Sequence, residues 1–236
     1  MSERVEPELG WDTVAGAFGL RGETMRAHEG RSVVRLQDGS RTWFLKRFWI
    51  SRRRFFKRTV SRGRHELGMI DWLVAQRFNG PRVVGRGMER LGPLIRRLFF
   101  VMEEVAGEVD LERYCRAHRE EGKAVMQSLA EHTARLHNAG FFHHDYLATH
   151  ILVGQRDGGL TFRLIDVERA RCCRPSVRAA ATDLNKLFTS LGDVSKTGRL
   201  AEAFLDRYLA RRLDGPERGA LLRVMRRCPS SKRYGS

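Results

Sequence analysis

Two segments constrain this chain more than anything else in it: FFHHDYLATHILV (141–153) and LIDVERA (164–170). A stretch of helical spacing precedes the first and stops at Gly140. Asp145 follows just beyond it, and His150 comes five residues later. The apolar runs 151–153 and 160–165 then read as a small hairpin across GQRDGG, and Asp166 stands where its second strand ends. Whatever this chain folds into must therefore place one carboxylate just past a helix, an imidazole before a short strand and a second carboxylate at the end of another.

The flanking pattern extends the constraint. Residues 31–37 and 41–48 surround Asp38-Gly39, a hairpin signal. Leu67, Ile70, Leu73, Val74 and Phe78 recur at helical spacing over 62–78, and Asn79-Gly80-Pro81 supplies the stop. Residues 83–87 read as a short strand and turn, and 94–103 as another strand. Beyond residue 105 the pattern turns helical, with Val125, Leu129, Thr133 and Leu136 on one face, and it is helical again from about residue 181. The expected fold class is α+β, as one domain over 1–236 with a strand-rich N-lobe (about 1–104), a minimal helical C-lobe (about 105–236) and a hinge near 103–107.

Bulk properties exclude several classes. No apolar run approaches the roughly 20 residues that span a bilayer, and the polar start MSERVEPELGWD does not read as a secretory signal. The four cysteines lack C-x-x-C spacing, which argues against a zinc site or disulfide framework and for a reducing cytoplasm. The net charge of +16 favours anionic partners. Of the 44 basic residues 38 are Arg, so each of the six Lys draws notice.

Lys46 lies mid-strand in WFLKRF, where a compact ammonium differs from a planar fork. It reads either as a phosphate contact oriented by Glu66 in the next helix, or as an exposed strand lysine. Asp145 reads as a group that orients a hydroxyl and accepts its proton, or as a turn cap. Asp166 reads as a hard ligand for Mg²⁺, or as a turn residue. Each is ambiguous alone; the ordered set Lys46, Glu66, Asp145, His150, Asp166 is far more specific.

Over about residues 25–210 the chain resembles the lipopolysaccharide core kinases, kinase-like enzymes that phosphorylate heptose or Kdo of the inner core. FLKRF resembles their lysine strand, HELGMIDWL their glutamate helix, GFFHHDYLATHILV their catalytic loop and LIDVERAR their metal-binding segment. The most diagnostic feature is His150, which stands where protein kinases carry asparagine. The resemblance implies a two-lobed protein-kinase-like fold that uses ATP and Mg²⁺. It implies Lys46 on the nucleotide phosphates with Glu66 holding it, and Asp145 as catalytic base. Asp166 would bind Mg²⁺, and His150 would take a second-metal or loop-bracing position. Glu103 to Val105 would offer backbone hydrogen bonds to adenine, and Asp183 would brace the catalytic loop.

Departures accompany the resemblance. His144 replaces the arginine common before the catalytic aspartate, and no G-x-G-x-x-G covers the phosphates. His144 retains the option of pairing with a neighbouring carboxylate when protonated. Imidazole is also softer than Mg²⁺ prefers. Gly85-Arg86-Gly87 with Gly92 reads as a plain turn, and His118, His132 and His137 as solvated or capping groups.

From Arg41 to Arg64 ten basic residues run without an acid, interleaved with Trp43, Phe44, Phe48, Trp49, Phe55 and Phe56. This belt reads as a docking surface for an anionic membrane or glycolipid, as a nucleic-acid surface, or as a solvated loop. Charge density favours the first, and nucleic acid is not the expected partner. Only sixteen residues separate Asp166 from Asp183, too few for a segment that docks a peptide. The expected activity is thus ATP-dependent phosphorylation of a sugar hydroxyl on a lipopolysaccharide core glycolipid. The expected location is cytoplasmic and peripheral on the inner membrane. The alternative is a kinase-like binding module that docks on anionic membrane or RNA.

Overall fold

The computed structural model describes residues 10–51, 59–156, 158–191, 198–212 and 218–227. The chain divides into two compact units: Met1–Gly68 with Pro81–Ala106, and Met69–Gly80 with Gly107–Ser236.

Helix α1 (Val14–Gly19) opens the first unit, and the hydroxyl of its N-cap Thr13 accepts the Gly16 N–H at 3.0 Å. Strands β1 (Glu23–His28), β2 (Arg31–Asp38) and β3 (Arg41–Trp49) follow. Helix α2 (Thr59–Ala75) comes next, and then β4 (Arg82–Leu91) and β5 (Leu94–Glu103). The strands form one antiparallel sheet in the order β1-β2-β3-β5-β4. The predicted hairpin is present: Asp38 faces Arg41 across a tight turn in which Gly39 takes φ +55°.

Alternation along β3 sorts its side chains between the two faces of the sheet. Trp43 and Leu45 join Trp11, Ala17, Val34, Leu36, Phe99 and Val101 in a core under α1. Phe48 points the other way and stacks on Phe100 at 5.9 Å. Helix α2 approaches that second face through Gly63, where a Cβ would fall 2.5 Å from the Phe48 ring. Lys46 shares the Phe48 face by the same alternation. Both sides of β5 are thus covered, and Leu98 to Met102 are all buried.

Residues 85–87 do not form the plain turn expected of them. They run inside β4, with a bulge between Val83 and Gly85. Glycine is there for packing: a Cβ on Gly87 would lie 2.5 Å from Phe99, and one on Gly85 2.9 Å from Trp11. Gly92, at φ +58°, makes the actual turn between β4 and β5. Val74, read as a core position of the helix, is 61% exposed.

The second unit begins with the end of α2, where Trp72 stacks on Phe78 and Phe141 at 6.2 and 5.3 Å. Then come β6 (Val109–Asp110), α3 (Leu111–Ala117) and α4 (Gly122–Asn138). Strands β7 (Phe141–Phe142), β8 (Ile151–Arg156), β9 (Gly159–Leu164) and β10 (Arg171–Cys172) follow. Helices α5 (Val177–Leu191), α6 (Gly198–Arg211) and α7 (Arg218–Arg227) complete the order. The strands pair antiparallel in two small sheets, β6-β8-β9 and β10-β7.

Val125, Leu129, Thr133 and Leu136 form the predicted buried face of α4. Gly140 ends the approach to β7 at φ +80°, and a Cβ on it would meet the Cys173 carbonyl oxygen at 2.3 Å. His118 caps α3 through Tyr114 O, as a capping group should. His132 and His137 are not solvated. His132 packs against Phe78 and Phe162 with a buried Nε2. His137 is 2% exposed and hydrogen-bonds the Tyr208 hydroxyl at 2.8 Å.

Candidate active site

In the first unit, Lys46 sits on β3 opposite Val33 and Phe100, and Glu66 lies on α2. Lys46 Nζ donates to Glu66 Oε1 at 2.5 Å, with the two side chains 15% and 2% exposed. A carboxylate that deeply buried needs such a partner. Glu103 closes β5 between Trp43 and Arg82, and its carboxylate pairs with Arg82 at 2.7 Å. Val105 is half-buried just past the strand. Within 103–105 the Glu104 N–H is already donated to the Thr42 carbonyl at 2.9 Å.

In the second unit, Asp145, His150 and Asp166 come together. The loop after β7 turns sharply at His144, φ +57°, and the loop after β9 turns at Asp166, φ +55°. Among the described residues only one other non-glycine, Arg77, has positive φ. Two such positions in these two loops mark backbone held in place by its surroundings. The surroundings are explicit. Asp183 on α5 is fully buried and accepts the N–H of His143 and of His144, each at 2.8 Å. The His137 Nε2 lies 3.4 Å from the same carboxylate.

His143 ties the two loops to each other. Its Nε2 contacts the Ile165 carbonyl at 3.0 Å, and its Nδ1 accepts the Asp145 N–H at 3.3 Å. A carbonyl can only accept, so the proton is on Nε2 and the ring is neutral. Burial holds the His143 pKa below its ordinary value, which keeps this tautomer at neutral pH. His144 contributes backbone rather than ring: a carboxylate meets its N–H, and its carbonyl receives Lys186.

His150 follows the same logic. Its Nδ1 lies 2.9 Å from the Asp145 carbonyl, so Nδ1 carries the proton. Its Nε2 lies 3.9 Å from Asp166 Oδ2. The Asp166 carboxylate and the His150 ring are the groups here that could hold a divalent cation, with the carboxylate oxygen the harder ligand of the two. Asp166 is 38% exposed, so its carboxylate is open to a ligand. No group of three or more His, Cys, Asp or Glu ligands gathers among the described residues. An ion held here would complete its shell with water and substrate oxygens, which is the habit of Mg²⁺.

Asp145 is 16% exposed, and its Oδ1 accepts from Lys186 Nζ at 2.8 Å. Burial by itself would raise the Asp145 pKa. The Lys186 hydrogen bond and charge outweigh it, helped by His150 and Arg169, and the carboxyl is held below its ordinary value. Asp145 is thus an ionised acceptor at neutral pH. Sequence reasoning passed over Lys186 and His143. Two signals pointed to Lys186: the scarcity of lysine, and its position three residues after Asp183, on the same helix face.

An antiparallel five-stranded sheet with a Lys–Glu pair, and a helical unit whose loops carry two carboxylates and a histidine, define a kinase-like fold. The solved structure of WaaP in complex with acyl carrier protein matches it with TM-score 0.70 and 26% identity, over 90% of this chain and 89% of that one. The family model "Lipopolysaccharide kinase (Kdo/WaaP) family" matches residues 19–208, and the chain belongs to that family. It is a phosphotransferase that acts on a sugar hydroxyl. Curated relatives include the lipopolysaccharide core heptose(I) kinase WaaP of Escherichia coli strain K12, 26% identical over 84% of this chain and 82% of the relative. WaaP of Pseudomonas aeruginosa PAO1 is 29% identical over 86% of this chain and 83% of its own length.

Proposed function

We propose that this chain transfers the γ-phosphoryl group of ATP to a heptose or Kdo hydroxyl of the lipopolysaccharide inner core. The observation that supports this most directly is the Asp145–His150–Asp166 arrangement, held by backbone contacts to α5 and by the His143 and His150 rings.

Asp145 orients the acceptor hydroxyl and takes its proton as the new O–P bond forms and the bridging bond to the leaving ADP oxygen breaks. Its low pKa suits a base that receives the proton late. Lys46, fixed by Glu66, contacts the α- and β-phosphates. Backbone groups of Glu103 to Val105 hold the adenine. Asp166 and His150 hold Mg²⁺, which supplies positive charge to the phosphate oxygens when bound. The whole of 1–236 acts as one kinase-like domain, with lobes over about 1–104 and 105–236.

The glycolipid acceptor places the work at the cytoplasmic face of the inner membrane, with the enzyme bound peripherally. The basic belt supports that placement, although residues 52–58 of it lie outside the described residues. No described helix is long and apolar enough to cross a membrane. A non-catalytic docking module on membrane or RNA gains no specific support from the site.

The test is the full chain with ATP, Mg²⁺ and a dephosphorylated inner-core glycolipid. Phosphate enters the glycolipid with wild-type protein, and Asp145→Ala and Asp166→Ala each abolish it. Incorporation that persists unchanged in both variants refutes the proposal.

A further inference from the structure

Lys186 is one of six lysines in a chain that uses arginine for 38 of its 44 basic residues. It lies on α5 one helical turn beyond Asp183. Asp183 takes the N–H groups of His143 and His144, while Lys186 donates to the His144 carbonyl at 2.5 Å and to Asp145 Oδ1 at 2.8 Å. One helix thus grips three consecutive loop residues, with an acceptor at one position and a donor at the next.

An ammonium has three protons, and these two contacts use two of them. Lys186 makes no other hydrogen bond among the described residues, and its side chain is 21% exposed. One N–H therefore remains, directed from a fixed cation beside the ionised carboxylate. Arginine does not reproduce this, because its planar fork spreads the charge and the donors over a wider, longer head.

We infer that Lys186 is a catalytic cation: its ammonium holds Asp145 in place for the acceptor hydroxyl, and its remaining N–H meets an oxygen of the transferring phosphoryl group. The inference rests on the reading of Asp145 as the base. The hydroxyl proton passes to the Asp145 carboxylate, the acceptor oxygen bonds to the γ-phosphorus, and the electron pair of the broken bond leaves on ADP. Lys186 stays protonated throughout and offsets negative charge on the phosphoryl oxygens.

The experiment is steady-state phosphate transfer by the full chain to dephosphorylated inner-core glycolipid, with Asp145→Ala, Lys186→Met, Lys186→Arg and Lys186→Cys. Lys186→Met lowers kcat by about 10²–10³-fold, the usual effect of losing one fixed donor. Its KM for ATP stays within about threefold of wild type, and Lys186→Arg does not restore kcat. Alkylating Lys186→Cys with 2-bromoethylamine rebuilds an ammonium at nearly the same reach. This recovers about tenfold or more of the lost kcat, while treated wild type and treated Lys186→Met are unchanged. Recovery of rate in folded protein separates charge at this position from a fold defect.

Two results overturn the inference while leaving Asp145 in its role. One is Lys186→Met keeping kcat within about threefold of wild type while Asp145→Ala is inactive. The other is alkylated Lys186→Cys that melts like wild type but regains no rate. Wild-type transfer by Asp145→Ala instead removes the base assignment, and the role of Lys186 with it.

Discussion

Replacing Asp183 with Asn tests how the loop that carries Asp145 is held. The carboxylate is fully buried and accepts two backbone N–H groups at 2.8 Å each. An amide of the same shape has one acceptor oxygen, so it keeps one of those bonds and turns an NH₂ towards the other N–H. The retained bond falls from charge-assisted to neutral, a loss of roughly 1 kcal/mol, and a buried N–H left without an acceptor costs about 1–3 kcal/mol. The sum is about 2–4 kcal/mol, localised at His143 and His144. Amide hydrogen exchange of the peptide over 141–148 is the direct assay. At tenfold per 1.4 kcal/mol, these two amides exchange roughly 30- to 10³-fold faster in Asp183→Asn than in wild type. Helix α4 away from the loop keeps its protection, because its hydrogen bonds are internal. Unchanged exchange at His143 and His144 refutes the reasoning, since it means the carboxylate does not bear the loop.

Two further outcomes follow from buried charge. Lys46→Met takes from Glu66, 2% exposed, the ammonium 2.5 Å away and costs about 3–5 kcal/mol. Adding Glu66→Gln returns part of that, which a double-mutant cycle in urea at pH 7.5 measures. His132 gives a pH dependence: burial, with a smaller contribution from Arg135, lowers its pKa from 6.5 to about 3. A base with a depressed folded pKa binds its proton more tightly when unfolded. Stability is therefore fully present above about pH 6.5 and is lost as pH falls towards 3, amounting to about 2 kcal/mol at pH 5. His132→Phe keeps the contacts with Phe78 and Phe162, and between pH 7.5 and 5 it loses about 2 kcal/mol less than wild type, as read from urea midpoints.

The sequence was most legible where a local signal specifies the structure. Asp38-Gly39 marks its hairpin, the 3.6-residue period marks α4, and the run around GQRDGG marks β8 and β9. It was least legible where long-range packing decides. Strand β1 is exposed at every residue, so ETMRAH carries no alternation to find. Gly85 and Gly87 resemble turn glycines until the rings of Trp11 and Phe99 occupy the space a Cβ would need. His137 has no acid or thiol nearby in sequence. Its partners, Asp183 and Tyr208, come from two later helices. Lys186 escaped for the same reason, since it lies 41 positions after Asp145.

These long-range contacts share a pattern that bears on how the site stays assembled. Asp145 and Asp166 are not held by a rigid strand or helix of their own; each follows or sits in a left-handed turn. Their order is borrowed. The Asp145 loop is fixed from α5 by Asp183 and Lys186, and it is joined to the Asp166 loop by the His143 ring. A second link repeats the first: His150 donates from Nδ1 to the Asp145 carbonyl, while its own carbonyl accepts the Ile165 N–H at 3.0 Å. The His143 link uses both ring nitrogens, Nε2 as donor and Nδ1 as acceptor, whereas the His150 link pairs a ring donor with its own backbone carbonyl. A lysine or arginine offers only donors there, and a carboxylate only acceptors. Neutral His143 joins the two loops without adding charge, and His150 adds a second tie through its ring and its own backbone, so two of the three histidines of FFHHDYLATH hold backbone.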